Sequence, residues 1–117
     1  MKPGDIILTP LPQSDGIVKP RPAVVLALLP PFDDALACGI TTQLRHAVPG
    51  FDEFMESVDD DFRQSGLKAP SVIRLGYVTV LMPNDVICRI GFISPARLKR
   101  MLRHLGEHFA RLAAQIP

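Results

Sequence analysis

The sequence predicts a mainly β protein: a small, strongly bent antiparallel sheet or barrel finished by one C-terminal helix. Three observations predict it. First, 12 prolines and 8 glycines in 117 residues cut the chain into short pieces. Second, the pieces between them are apolar runs of strand length rather than long helical stripes. Third, Ser94-Pro95 is a strong helix start, a serine cap with proline at the first helical position. Short strands closed by one helix pack as a curved sheet with the helix laid on it.

Residues 5–9 form the first strand. A loop follows over 10–20, stiffened by Pro10 and Pro12, with Asp15-Gly16 as its turn. Residues 22–29 are a continuous aliphatic strand that Pro30-Pro31 stops. After a Phe32-Asp33-Asp34 turn, residues 36–43 make a third strand and 44–50 a loop. The spacing of Phe51, Phe54, Met55 and Val58 favours a helix over 51–58. Residues 59–65 form a helical turn ended by Gly66. Strands over 71–82 and 86–93 flank a Pro83-Asn84-Asp85 turn. In the last segment Leu98, Met101, Leu102, Leu105, Phe109, Leu112 and Ile116 follow one helical stripe.

Length and composition fit one domain over residues 1–117, small enough to gain from dimerisation. Apolar residues at 47% and charged residues at 21% describe a soluble globular chain. No run approaches the length of a membrane span, and the N-terminus lacks a signal-peptide layout. Cys38 and Cys88 fall in apolar strand-like runs without CxxC spacing, as buried reduced thiols of a cytoplasmic protein do.

Net charge is only +1, but its distribution is uneven. Asp52, Glu53, Glu56, Asp59, Asp60 and Asp61 crowd one segment that contains no base. Arg97, Lys99, Arg100, Arg103 and Arg111 stand on the last helix against Glu107. Such asymmetry can steer a polyanion to one face of a protein. For the acidic segment, a solvated loop is the expected state. The basic helix face is left between solvation and steering.

The chemistry concentrates at Arg21 and Thr41. Arg21 lies between Pro20 and Pro22, and prolines hold their own φ and force the preceding residue to extended geometry. The guanidinium is thereby held stiffly at the mouth of a strand. A rigid guanidinium beside a threonine hydroxyl can grip a phosphate at two points. The plainer alternative is a strand-opening arginine that pairs with a surface carboxylate, with Thr41 and Thr42 as ordinary strand residues.

Gly4-Asp5-Ile6-Ile7-Leu8, Arg21-Pro22-Ala23-Val24-Val25-Leu26 and Ile40-Thr41-Thr42-Gln43 occur in that order. Gly66-Leu67 with Ser71-Val72-Ile73-Arg74 follows, then Ile90-Gly91-Phe92-Ile93-Ser94 and the helix. No one motif is specific, but the ordered set resembles the MazF/PemK family of toxin endoribonucleases from about residue 4 to about residue 105. The resemblance implies an SH3-like barrel with a C-terminal helix and a strand, rather than a helix, near 51–58. It implies a toxin-like, metal-independent endoribonuclease (mRNA interferase) that cuts single-stranded RNA and needs no cofactor. It also implies a homodimer and a cognate antitoxin whose flexible acidic segment occupies the groove beside Arg21. DNA is then reached only through the antitoxin complex, and no membrane partner is expected.

By the same resemblance Arg21 and Thr41 occupy the catalytic positions. Arg21 stabilises the charged phosphorane and Thr41 bonds a phosphoryl oxygen, since a guanidinium is a poor free base. Thr42, Gln43, Arg74 and Lys19 are the substrate-binding candidates. Some relatives carry an active-site aspartate two residues after the arginine at 74, where this chain has Gly76. The segment Pro12–Lys19 also replaces a longer Gly/Ser/Glu/Gln-rich loop. Both departures leave room for a different function, a non-catalytic relative acting as a protein- or nucleic-acid-binding module.

His104 and His108 are spaced as a ligand pair on the helix, yet no third ligand has an obvious place, so no metal site is expected. They are expected at the surface or edge of the helix. His46, just after the Thr41 strand, is a minor candidate for the general base. Phe32, Phe51 and Tyr77 are the few aromatic candidates for base stacking, with core packing as the default for each.

Overall fold

The computed structural model describes residues 1–12 and 16–117. Six strands form one antiparallel sheet: β1 (Asp5–Pro12), β2 (Val18–Leu29), β3 (Asp34–Thr41), β4 (Glu53–Met55), β5 (Ser71–Leu81) and β6 (Cys88–Phe92). Two helices, α1 (Phe62–Ser65) and α2 (Pro95–Gln115), complete it. The strand order is β4-β5-β3-β2-β1-β6. Register shifts at Ile6/Ile7, Val25/Ala27 and Cys38/Ile40 bend the sheet into a curled half-barrel.

Alternation along the strands gives the sheet two apolar faces. Ile6, Val24, Leu26, Cys38, Ile40, Ile73 and Leu75 face one core, which Met101 and Leu105 of α2 close. Ile7, Ala23, Val25, Ala35 and Ala37 face the other, closed by Leu11 and Leu81. Each fully buried large aliphatic side chain contributes roughly 1.5–3 kcal/mol. Ser94 caps α2 as expected, its hydroxyl accepting the Arg97 N–H at 3.2 Å with Pro95 at the first helical position. Gly66 ends α1 at φ 73°, and a Cβ there would lie 2.2 Å from the Ile90 carbonyl oxygen. Only glycine lets α1 seat this closely on β6.

Several expectations are corrected. Residues 10–20 are not simply a loop: β1 continues through Pro12, and Pro10 and Pro12 pair with Pro20 and Val18. The β6 ladder already stops at Leu8, so the prolines fall where β1 has lost one neighbour and a missing N–H costs little. The expected turn at Asp15-Gly16 includes Asp15, which lies outside the described residues. The segment 51–58 carries the short strand β4, not a helix, because Phe54 and Val58 are exposed while Met55 is buried. The third strand ends at Thr41, leaving Thr42 and Gln43 beyond it. The last two strands are also shorter at their ends than expected, Ser71–Leu81 and Cys88–Phe92. Cys38 is buried but Cys88 is exposed, because β6 is an edge strand with one face uncovered. On α2 only Met101 and Leu105 of the stripe are buried, and Leu102, Phe109, Leu112 and Ile116 stay exposed.

The acidic segment is the largest correction. Asp52, Glu53 and Asp61 are buried, and Glu53, Asp59 and Asp61 surround the buried Arg97. Arg97 Nε and Nη2 donate to the two Asp61 oxygens at 2.8 and 3.0 Å. Its remaining N–H groups reach Glu53 Oε1, Asp59 Oδ2 and the Phe54 carbonyl at 3.0, 3.0 and 2.7 Å. All five donors of the guanidinium are engaged. Burial pushes the Asp61 carboxyl up, but the hydrogen bonds from Arg97 and the Ser94 N–H outweigh it and hold it below the usual range. The charge run fastens β4 and the start of α2 together.

Candidate RNA-binding groove

The β2–β3 register pairs Val24 with Cys38 and Ala23 with Gly39. Continued by two residues, that register sets Arg21 opposite Thr41. Both side chains line a groove of about 690 Å³, each half-buried. Among the described residues, Arg21 Nε is buried and donates to no protein acceptor. A buried donor left unpaired costs about 1–3 kcal/mol, which an incoming acceptor recovers. Thr41 Oγ1 accepts the Gln43 N–H at 3.0 Å, and this leaves the hydroxyl hydrogen to be donated.

A bulge supplies the opposite wall. Cys38 pairs with Val78 but Ile40 pairs with Ile73, so Gly39 alone faces the stretch Arg74–Tyr77. The Tyr77 ring lies over Gly39, and its hydroxyl donates to the Pro12 carbonyl at 2.6 Å. The Arg74 guanidinium sits 5.6 Å from the Tyr77 ring centroid, within cation–π range. Arg74 and Tyr77 line the groove, while Gly76 does not. Gly76 opens instead on a separate apolar groove of about 460 Å³ against α2, shared with Leu75, Val78 and Phe109. A Cβ at Gly76 would meet nothing within 4 Å. Gly76 therefore opens on a different groove from Arg74, across the bulge that breaks the two-residue alternation.

The chain after β3 makes the rim. Thr42 and Gln43 lead into a 3-10 turn, Leu44–His46, and both line the groove with Arg45 and His46. Arg45 Nη1 donates to Gln43 Oε1 at 2.6 Å. Of the expected site residues, Arg21, Thr41, Thr42, Gln43 and Arg74 meet in this one groove. Lys19 does not: it is exposed on β2 opposite Leu11 and is not part of the lining. Arg45 was not anticipated from the sequence, where its only mark is its place two residues after Gln43.

The remaining candidates fall elsewhere. His104 and His108 are half-buried at the helix edge; His104 Nδ1 lies 3.2 Å from the Phe51 carbonyl, and the His108 ring meets Phe51 at a tilt, centroids 5.5 Å apart. Phe51 packs on the main core and Phe32 is exposed, which leaves Tyr77 as the groove's aromatic side chain. Among the described residues no three His, Cys, Asp or Glu side chains gather as metal ligands. Among the described residues no helix is long and apolar enough to cross a membrane.

The family model described as PemK-like, MazF-like toxin of type II toxin-antitoxin system matches residues 2–109. Among solved structures, the chain is similar to the Mycobacterium tuberculosis toxin MazF-mt6, with 21% identity and a TM-score of 0.65. That likeness covers 91% of this chain and 96% of that one, and it establishes the curled antiparallel sheet with its C-terminal helix. No curated protein matches the chain. Because the family match runs over nearly the whole chain, the protein belongs to the PemK/MazF family of type II toxin–antitoxin toxins, whose members are endoribonucleases.

Proposed function

We propose that this chain is an endoribonuclease toxin that cleaves single-stranded RNA without a metal ion. The observation that carries this reading is the meeting of Arg21 and Thr41 in one groove, with an Arg21 donor buried and unpaired among the described residues. The substrate 2′-hydroxyl attacks the adjacent phosphorus, forming the new O2′–P bond as the P–O5′ bond breaks; the hydroxyl gives its proton to solvent, and the departing 5′-oxygen takes one up. Arg21 meets the negative charge of the phosphorane, and Thr41 donates to a phosphoryl oxygen. Thr42 and Gln43 position the strand, and Arg74 binds it. Lys19 sits outside the groove and is given no role. The whole chain acts as one toxin domain in the cytoplasm, as a homodimer held in check by a cognate antitoxin.

Purified protein incubated with long RNA in excess chelator should yield discrete fragments. Induced expression should arrest growth, and co-expression of the neighbouring gene's product should relieve it. Light scattering at micromolar concentration should give a dimer; a monomer counts against that part of the reading.

One observation favours a second reading, a non-catalytic binding module. Among the described residues the groove has no carboxylate, and Gly76 lines a different groove, so no acidic side chain is at hand to take the 2′-hydroxyl proton. Intact RNA at high protein concentration selects this module over the enzyme.

A further inference from the structure

We propose that Arg45, splinted by Gln43, is a third phosphate-binding residue of the groove, so that the site takes an RNA backbone over several phosphates rather than one. This rests on the reading of the groove as an RNA site. Arg21 comes from β2, Arg74 from the β5 bulge and Arg45 from the 3-10 turn, and all three line one cavity. Among the described residues none of the three is in an ion pair, and no carboxylate lines the cavity with them. The contrast with Arg97 is direct: there every donor is engaged by protein acceptors, three of its partners being carboxylates. Arg45 spends one donor on Gln43 Oε1 at 2.6 Å, and its side chain is otherwise exposed at the rim.

That single bond matters. An arginine loses conformational entropy when it grips a phosphate, and a fork already held by Gln43 loses less. The turn itself is fixed, because the His46 N–H donates to the Gln43 carbonyl at 3.0 Å. A cavity of about 690 Å³ is the size that encloses a drug-sized molecule, much larger than one phosphate. Three unneutralised forks around it suit consecutive phosphates of one strand.

Salt dependence reads the number of phosphates directly. Binding to a single strand weakens with a log–log slope of about −0.7 for each phosphate neutralised, so three contacts give about −2. The test is fluorescence anisotropy with a 2′-O-methyl oligouridine, which lacks the attacking hydroxyl and cannot be cut, between about 50 and 200 mM salt. Arg45→Gln should flatten the slope by about 0.7, as should Arg21→Gln and Arg74→Gln. Arg45→Lys should restore it. Gln43→Ala should weaken binding at every salt concentration while the slope stays as in the wild type.

If Arg45 only props the turn, Arg45→Gln lowers affinity without changing the slope, and the proposal is wrong. Absence of binding by the wild-type chain at the lowest salt overturns it too. All-ribose RNA run in parallel separates the two readings. A strand that binds with these slopes but is never cut removes the nuclease and leaves the track. A strand that is cut while Arg45→Gln keeps the full slope does the reverse.

Discussion

One Asp52 oxygen accepts the Leu75 N–H at 2.9 Å, and the other accepts the Val48 N–H at 2.8 Å. Leu75 lies in the bulge that faces Gly39, where the β3–β5 ladder offers its backbone no partner. A buried N–H left alone there is costly, and the buried Asp52 carboxylate removes that cost. Arg74 stands immediately before Leu75 and Tyr77 two residues after it, so this carboxylate sets the groove wall without lining the groove.

Asp52→Ala should therefore destabilise the fold by about 1–3 kcal/mol, the usual cost of orphaning a buried donor. RNA binding should weaken as well, through misplacement of Arg74. In an Arg74→Ala background the same substitution should weaken binding far less, because the group it positions is gone. Urea denaturation and binding of the two single mutants and the double mutant decide this. Strict additivity of the binding losses would show that Asp52 does not act through Arg74.

The Arg97 cluster predicts how the fold fails in acid. Asp61 is held below its ordinary value in the folded state, so its contribution is fully present above the unfolded value, near pH 4. That contribution is lost as pH falls through the lower folded value. Asp5 adds in the same direction: burial raises its carboxyl, but bonds from the Lys2 backbone and the Arg89 side chain lower it further. Stability should be flat near neutrality and fall below about pH 4. Asp61→Asn should be less stable at pH 7 and show a shallower acid decline, both read from denaturation midpoints. Arg97→Ala leaves buried carboxylates uncompensated, which typically costs about 3–5 kcal/mol.

The two thiols should differ sharply toward alkylating reagents. Burial, with the Asp52 charge adding to it, pushes the Cys38 thiol up to about 12, and the side chain is inaccessible. Cys88 is exposed on the edge strand. Mass spectrometry of the native protein with iodoacetamide should show one adduct, on Cys88. A second adduct on Cys38 without denaturant would contradict the core assignment.

The end of β2 and the start of α2 were legible because local chemistry decides them: Pro30-Pro31 ends β2, and Ser94-Pro95 opens α2. That Arg21, Thr41, Thr42, Gln43 and Arg74 share one groove follows in part from the sequence, since three of them flank one strand end. The bulge opposite Gly39 was not. It depends on a register shift between strands distant in sequence, which no local pattern encodes. The Asp52–Asp61 run misled because burial follows from partners, and the partner Arg97 lies 36 residues from Asp61. Lys19 neighbours Arg21 in sequence and pairs with Leu11, yet it is exposed and is not part of the groove lining. Arg45 gained its meaning only when the turn after β3 placed it beside Gln43.

The central claim is that Arg21 stabilises the transition state of RNA cleavage in this groove. Single-turnover cleavage beside equilibrium binding tests it for Arg21→Ala, Thr41→Val and Arg74→Ala. Arg21→Ala should bind RNA only modestly less well and cut it at least ~100-fold more slowly, the usual loss for one preorganised donor. Thr41→Val should show the same pattern more mildly, and Arg74→Ala should chiefly weaken binding. An Arg21→Ala protein that cuts at the wild-type rate, while Arg74→Ala is dead, would contradict the account.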